Sequence, residues 1–300
     1  MSNTSTPRIG FLGLGALGTL IAWHNRALQP LALPRQPQSI TPRRLIDRDG
    51  IAHDFDLPSW DGTDLDWLIV TTKAGDTLTA LTPWQAQLPA VKRIVLLQNG
   101  MGQHEQCASW LQQQKSACEL WAAISTEGAY RSSSGDRPEV VYAGSGSTLL
   151  GKLHPQDTIE PAVVPLPAGF SLCDDIQQPM REKLAINAVI NPLTGLYLCP
   201  NGELLQQPEY RQHLLQLAGE VDAFFAHQQW PLAAPLTERA VAVATATAAN
   251  RSSTLQDILA GRPTELAWIC GYLLQCADEA GYSLPITAKL YQQLQTDSVR

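Results

Sequence analysis

Gly13-Leu14-Gly15-Ala16-Leu17-Gly18 has the spacing G-x-G-x-x-G, between a short apolar run and a stretch with helical spacing. In that context the glycines permit a tight turn, close approach of backbone to a diphosphate, and close packing of helix on strand. The helix N-terminus then offers its N–H groups and the positive end of its dipole to the phosphates. The motif predicts a dinucleotide site; the alternative is a glycine-rich turn without a ligand. About 20 residues further on, such sites that take NAD place an acid against the ribose hydroxyls. Here the chain reads Pro30-Leu31-Ala32-Leu33-Pro34-Arg35-Gln36, with no carboxylate until Asp47. A guanidinium pairs with a 2′-phosphate that a carboxylate would repel, so Arg35 favours NADP over NAD; a solvated arginine is the other reading. Thr72-Lys73-Ala74-Gly75 and Gln98-Asn99-Gly100-Met101-Gly102 end two further apolar runs. Ligands of open α/β sheets bind beyond the carboxyl ends of strands, which makes Lys73 a candidate for phosphate or ribose and Asn99 a candidate bridge between cofactor and substrate. Asn-Gly is also a turn signal in its own right.

A second group lies in the C-terminal half. Lys183, Asn187 and Asn191 stand at i, i+4 and i+8, one helix face drifting by about 40° per step. An ammonium and two amides on one stripe could line a polar cleft, but periodicity alone favours an ordinary solvent face. Leu184, Ile186, Val189 and Ile190 supply apolar packing on other faces, and Pro192 predicts a kink or stop at Asn191. Ser253 followed by Gln256 fits a capping box. Glu265, after Pro263, falls near a helix start, where the macrodipole favours a carboxylate. The six histidines are scattered and none competes for a proton-donor role on spacing. The six cysteines form no C-x-x-C pair and no metal-ligand pattern with histidine, so neither a zinc site nor a disulfide framework is expected, and reduced thiols point to the cytoplasm.

The elements that must carry these residues change character along the chain. Apolar runs at 8–12, 65–72, 93–98 and 120–125 read as buried strands, and the stretches between them as helices, beginning with 16–28. That alternation predicts an α/β domain with a parallel sheet. Pro155, Pro161, Pro165 and Pro167 mark a connection. Beyond it the pattern is helical at 180–190, 210–227, 237–249 and 265–280, with Gly281 placed as a C-cap glycine. The division expected is 1–170 and 171–300. With 44% hydrophobic and 16% charged residues and a net charge of −7, the 300-residue chain has a globular composition and no basic patch for nucleic acid. The polar N-terminus is no signal peptide, and no run approaches the roughly 20 apolar residues of a membrane span.

Residues 182–204, EKLAINAVINPLTGLYLCPNGEL, with their N-P-L-T and C-P-N-G-E elements, resemble the ketopantoate reductase family. GLGALG, TTKA, QNGMG, Asn250-Arg251-Ser252-Ser253-Thr254-Leu255-Gln256-Asp257, and Thr264-Glu265-Leu266 followed by Gly271 extend the resemblance in the same order over both halves. It implies a Rossmann-type NADP-binding domain followed by an all-α substrate and catalytic domain. The implied reaction is NADPH-dependent reduction of the small 2-keto acid ketopantoate to pantoate, on the way to pantothenate and coenzyme A. By the same resemblance Lys183 is the general acid, and Glu265 neighbours both the lysine and the nicotinamide ribose. Asn187, Asn191 and Ser253 bond the substrate, with Asn201 and Asn250 as further substrate-side candidates. Asn99 touches both ligands, Lys73 touches the cofactor, and Gly128 gives it a backbone contact. No metal is implied. Burial would lower the Lys183 pKa and Glu265 would raise it. A reductase of another small 2-keto acid or an imine on this scaffold, and a non-catalytic NADP-binding redox sensor, are the competing readings.

Overall fold

The structure, a computed structural model, describes residues 6–36, 38–132, 137–153 and 166–297. The chain divides into two compact units, one of Met1–Gln98 with Gln103–Ile176 and one of Asn99–Gly102 with Gln177–Arg300. The division therefore falls at 176/177, not at 170/171, because Phe170–Leu172 still pairs as a strand of the first unit. Of the prolines expected to mark the connection, Pro155, Pro161 and Pro165 lie outside the described residues.

The strands are β1 (Ile9–Leu12), β2 (Leu31–Leu33), β3 (Ile40–Ile46), β4 (Ala52–Pro58), β5 (Trp67–Val70), β6 (Arg93–Leu96), β7 (Glu119–Ser125), β8 (Gly128–Ser132), β9 (Glu139–Gly144), β10 (Thr148–Lys152) and β11 (Phe170–Leu172). The first unit also holds helices α1 (Ala16–His24), α2 (Thr77–Leu81) and α3 (Gln103–Gln113). The main sheet runs β11-β10-β7-β6-β5-β1-β2. From β7 to β2 every neighbour pair is parallel, while β10 joins β7 antiparallel. Strands β1 and β5 are buried at every residue, which is why they read as unbroken apolar runs rather than alternating ones. Phe11, Trp67 and Ile69 lie in one core cluster, and Leu65, Leu68 and Val70 in another.

A second sheet, β4-β3-β9-β8, was not expected. Strand β4 alternates exposed with half-buried residues over most of Ala52–Pro58, AHDFDLP, and shows no apolar run. The sheet contacts α1 through β8, β9 and β3, around Leu20, Leu45 and Val140.

The second unit is helical: α4 (Gln177–Tyr197), α5 (Glu203–Gln206), α6 (Pro208–His227), α7 (Leu236–Ala246), α8 (Ser253–Leu259), α9 (Leu266–Glu279) and α10 (Pro285–Asp297). Helix α4 touches α6, α7, α8, α9 and α10. Of the kink or stop expected at Asn191 from Pro192, the stop does not occur: α4 continues to Tyr197. An interior proline costs about 3 kcal/mol. Here Ala188, Val189, Pro192 and Leu193 are all buried, and packing on five neighbours outweighs the local cost. The Thr194 hydroxyl, 2.9 Å from both the Ile190 and the Asn191 carbonyl oxygens, adds a bond in the same turn. Gly281 takes φ +64 just past the end of α9, as its C-cap placement requires.

All six cysteines are free. Among the described residues no cluster of His, Cys, Asp and Glu could hold a metal ion, and no helix is long and apolar enough to cross a membrane.

Candidate functional site

In the first unit the candidate residues gather at the turn from β1 into α1. Gly13 has φ +94, and a Cβ there would lie 2.6 Å from the Thr72 backbone nitrogen. Only glycine tolerates both. The Thr71 N–H donates to the Leu12 carbonyl at 2.8 Å, and the Thr71 hydroxyl donates to the Gly13 carbonyl. The turn is thus pinned to the end of β5. A side chain at Gly18 would collide with the Gly13 carbonyl and the Thr71 hydroxyl, so α1 sits hard against its own turn. Gly15 is the N-cap of α1 and brings no side chain to its first N–H groups. Leu14 and Leu17 pack on the core, and Ala16 packs on the second-sheet cluster. These three hold the turn in place and leave its backbone to a ligand. A dinucleotide diphosphate fits this cradle of bare backbone at a helix N-terminus. The nearby Thr72 hydroxyl is buried and has no protein partner among the described residues.

Arg35 is exposed, two residues beyond β2. Because Leu12 is in register with Leu33, Gly13 and Pro34 step off neighbouring strands side by side. Lys73, half-buried beyond β5, caps the short turn Ala74–Asp76. Gly128 begins β8, opposite Gly144 in the second sheet, next to an irregularity in register between Gly128 and Ala129.

In the second unit the candidate residues are carried by α4 and α9. Lys183 is half-buried, Asn187 stands one turn on and Asn191 two. Leu184, Ala185, Ala188 and Val189 anchor the helix by their burial. Asn191 is itself buried, and neither amide has a side-chain partner among the described residues. Glu265 is the N-cap residue of α9, yet its carboxylate does not cap. It accepts a hydrogen bond from Asn99 Nδ2 at 3.1 Å. The Asn99 loop is fastened to the same helix by the Met101 N–H, which donates to the Trp268 carbonyl at 2.9 Å. Burial lowers the Lys183 pKa to about 8 against the opposing pull of the Glu265 carboxylate. Desolvation therefore wins the competition that the sequence left open. An ammonium so tuned can stabilise and protonate an oxygen that is gaining charge.

The other candidates fall into two sets. Asn201 is buried and ties two loops together: its amide donates to the Thr247 hydroxyl at 2.9 Å, and its N–H donates to the Asn250 carbonyl at 3.0 Å. Asn201 Oδ1 is buried without a partner among the described residues, and the Asn250 side chain is exposed. Ser253 does not form the expected capping box. The N-cap of α8 is Ser252, whose hydroxyl accepts from the Leu255 N–H at 3.0 Å and meets the Thr194 hydroxyl at 2.7 Å. Two adjacent serines made the cap ambiguous; the buried one took it because it also had Thr194 to bond. Ser253 stays exposed.

Residues 9–155 match the family described as Ketopantoate reductase PanE/ApbA, and residues 175–297 match Ketopantoate reductase PanE/ApbA C terminal. The 2-dehydropantoate 2-reductase of Shigella flexneri is 33% identical over 300 residues, covering 96% of this chain and 94% of that one. The crystal structure of probable 2-dehydropantoate 2-reductase panE from Bacillus subtilis superposes with a TM-score of 0.76 at 28% identity, over 97% of this chain and 99% of that one. D-mandelate dehydrogenase, in a ternary structure with NADH and anilino(oxo)acetate, shares the fold at a TM-score of 0.80 and 19% identity, over 97% of this chain and 98% of that one.

Proposed function

The chain belongs to the PanE/ApbA ketopantoate reductase family of NAD(P)-dependent oxidoreductases, and from that premise we propose that it reduces 2-dehydropantoate to pantoate with NADPH. The observation that carries the reading is the Lys183 ammonium, its pKa drawn down by burial to about 8 against the pull of Glu265, on one helical stripe with two amides that no described residue claims. A bound reduced nicotinamide supplies the hydride. As the ketone carbon is reduced, its oxygen gains negative charge. Lys183 Nζ stabilises that charge and gives up its proton to form the hydroxyl. General acid catalysis of this kind is worth about 10²- to 10⁴-fold. Asn187, Asn191 and Ser253 bind the substrate carboxylate and hydroxyl without adding a charge that would repel them. Asn99 holds the Glu265 carboxylate in place. Asn201 and Asn250 shape the substrate side through the loops they join. On the cofactor side, Gly13, Gly15 and Gly18 seat the diphosphate, and Lys73 and the Gly128 backbone face the nucleotide. Arg35 reads the 2′-phosphate and sets the preference for NADPH. The place of action is the cytoplasm, as the free thiols suggest.

The similar names of the Shigella flexneri and Bacillus subtilis proteins support this substrate. The shared fold of D-mandelate dehydrogenase, with its NADH and anilino(oxo)acetate, favours keeping a second reading: reduction of another 2-keto acid. NADPH absorbance followed with ketopantoate, with NADH run alongside, separates the two. The expected result is NADPH loss that requires ketopantoate, is slower with NADH, and falls at least 10²-fold in Lys183→Ala. A wild type that binds NADPH and leaves ketopantoate untouched sinks the assignment in favour of the second reading.

A further inference from the structure

We propose that Arg131 and Arg43 form a cationic wall beside the glycine turn that takes up the diphosphate of the dinucleotide. The inference rests on the reading of Gly13–Gly18 as a dinucleotide site and adds two residues that no motif marks. Arg131 lies on β8, two residues after Ala129, which packs on the cluster of Leu20, Leu45 and Val140 against α1. Side chains two apart on a strand share a face, so Arg131 is carried toward α1. Its Nη2 comes to 3.3 Å from where a Cβ on Gly15 would stand. The guanidinium thus lies over the N-cap of α1, the backbone position that approaches a diphosphate in this turn.

Arg43 reaches the same region from β3. It stands two residues before Leu45, another member of the α1-facing cluster. Its Nη1 donates to the Pro42 carbonyl at 2.7 Å, while its Nε is buried with no partner among the described residues. Burial, and then the charge of Arg131, press its pKa below the ordinary arginine value, which places the two guanidiniums within electrostatic reach of one another. Neither is paired with a carboxylate among the described residues. The next residue of β3 shows the contrast: Arg44, on the opposite face, is held by both oxygens of Asp54 at 2.7 and 2.9 Å. Two like charges held together repel, and an anion accepted by both offsets the repulsion. The positive end of the α1 dipole adds to the same field. A diphosphate, with charge on both phosphoryl groups, matches two forked donors better than a single carboxylate does. The 2′-phosphate belongs elsewhere, past the end of β2 at Arg35.

That separation gives the test. Binding of NADPH and of NADH to the full-length protein is measured by calorimetry for wild type, Arg131→Gln, Arg43→Gln, Arg131→Lys and Arg35→Gln. NADPH and NADH share the diphosphate and differ in the 2′-phosphate. Arg131→Gln is expected to weaken both cofactors by a similar factor, about 10- to 100-fold, and Arg43→Gln to do so by less. Arg131→Lys should recover part of the loss at unchanged thermal stability, which separates lost charge from lost folding. Arg35→Gln should weaken NADPH alone. Wild-type affinity of Arg131→Gln and Arg43→Gln for both cofactors would overturn the proposal, as would a loss confined to NADPH. A wild-type protein that binds neither cofactor would overturn the dinucleotide reading and this inference with it.

Discussion

At the scale of single residues, the telling quantity is the Lys183 pKa of about 8. At neutral pH the ammonium remains mostly protonated, yet it is a stronger acid than an ordinary lysine. A general acid acts in its protonated form. The rate of keto acid reduction should therefore be level below about pH 8 and fall about tenfold per unit above it. A pH profile that stays flat to pH 10 would remove Lys183 from the role. The same shift has a sign in stability. The ordinary value is 10.5 and the folded value about 8, so below pH 8 both states hold the proton and the burial penalty is present in full. Between the two values the unfolded chain binds more protons and stability rises with pH. Lys183→Met should thus stabilise the protein at pH 7 by about 1–3 kcal/mol, with the gain fading by pH 10. Urea unfolding at both pH values checks this, and an equal gain at both would contradict it. The i, i+4, i+8 stripe was legible in the sequence because helical periodicity is local. The direction of the lysine shift was not, because it depends on how much of the chain covers the side chain.

At the scale of elements, what could be read depended on how many faces a segment buries. Strands β1, β5 and β6 are covered on both sides, so their apolar runs announce them. Strands β3 and β4 are half-exposed, with arginines, aspartates and a histidine among them, and β3 finds β9 only far along the chain. No local pattern encodes that pairing. Helix α4 shows the converse: the stop that Pro192 could have imposed gave way to packing on five helices. The start of α8 separates a structural role, at Ser252, from the substrate role proposed for Ser253, within one dipeptide. Ser252→Ala removes both an N-cap bond and the bond to Thr194, and should cost about 1–2 kcal/mol in thermal unfolding. Ser253→Ala should leave stability within about 0.5 kcal/mol and raise KM for the keto acid. Equal stability losses from the two changes would mean that the cap is misassigned.

At the scale of the whole molecule, the course of the chain separates sequence order from structural membership. After Gln98 the chain gives four residues, Asn99–Gly102, to the helical unit and returns to the first at Gln103. From sequence this stretch is simply the Asn-Gly turn at the end of β6, since nothing local reveals that Asn99 will meet Glu265. The consequence is that a change in the first third of the sequence should be felt in the C-terminal helices. Gly100 has φ +81, and a Cβ on it would stand 2.7 Å from the Trp268 carbonyl carbon. An alanine at positive φ, pressed on backbone that cannot yield like a side chain, should destabilise the protein by more than about 1 kcal/mol. In hydrogen exchange, Gly100→Ala should lose protection in the first turns of α9, while the amides of β1 and β5 keep theirs. Turnover should fall beyond what the lost stability explains, because the same shift pulls Asn99 away from the Glu265 carboxylate that acts on Lys183. Loss of protection in β5 or β6 with α9 unchanged would mean that the segment belongs energetically to the strands it follows in sequence, and that its bonds to α9 contribute nothing to holding the Glu265 carboxylate.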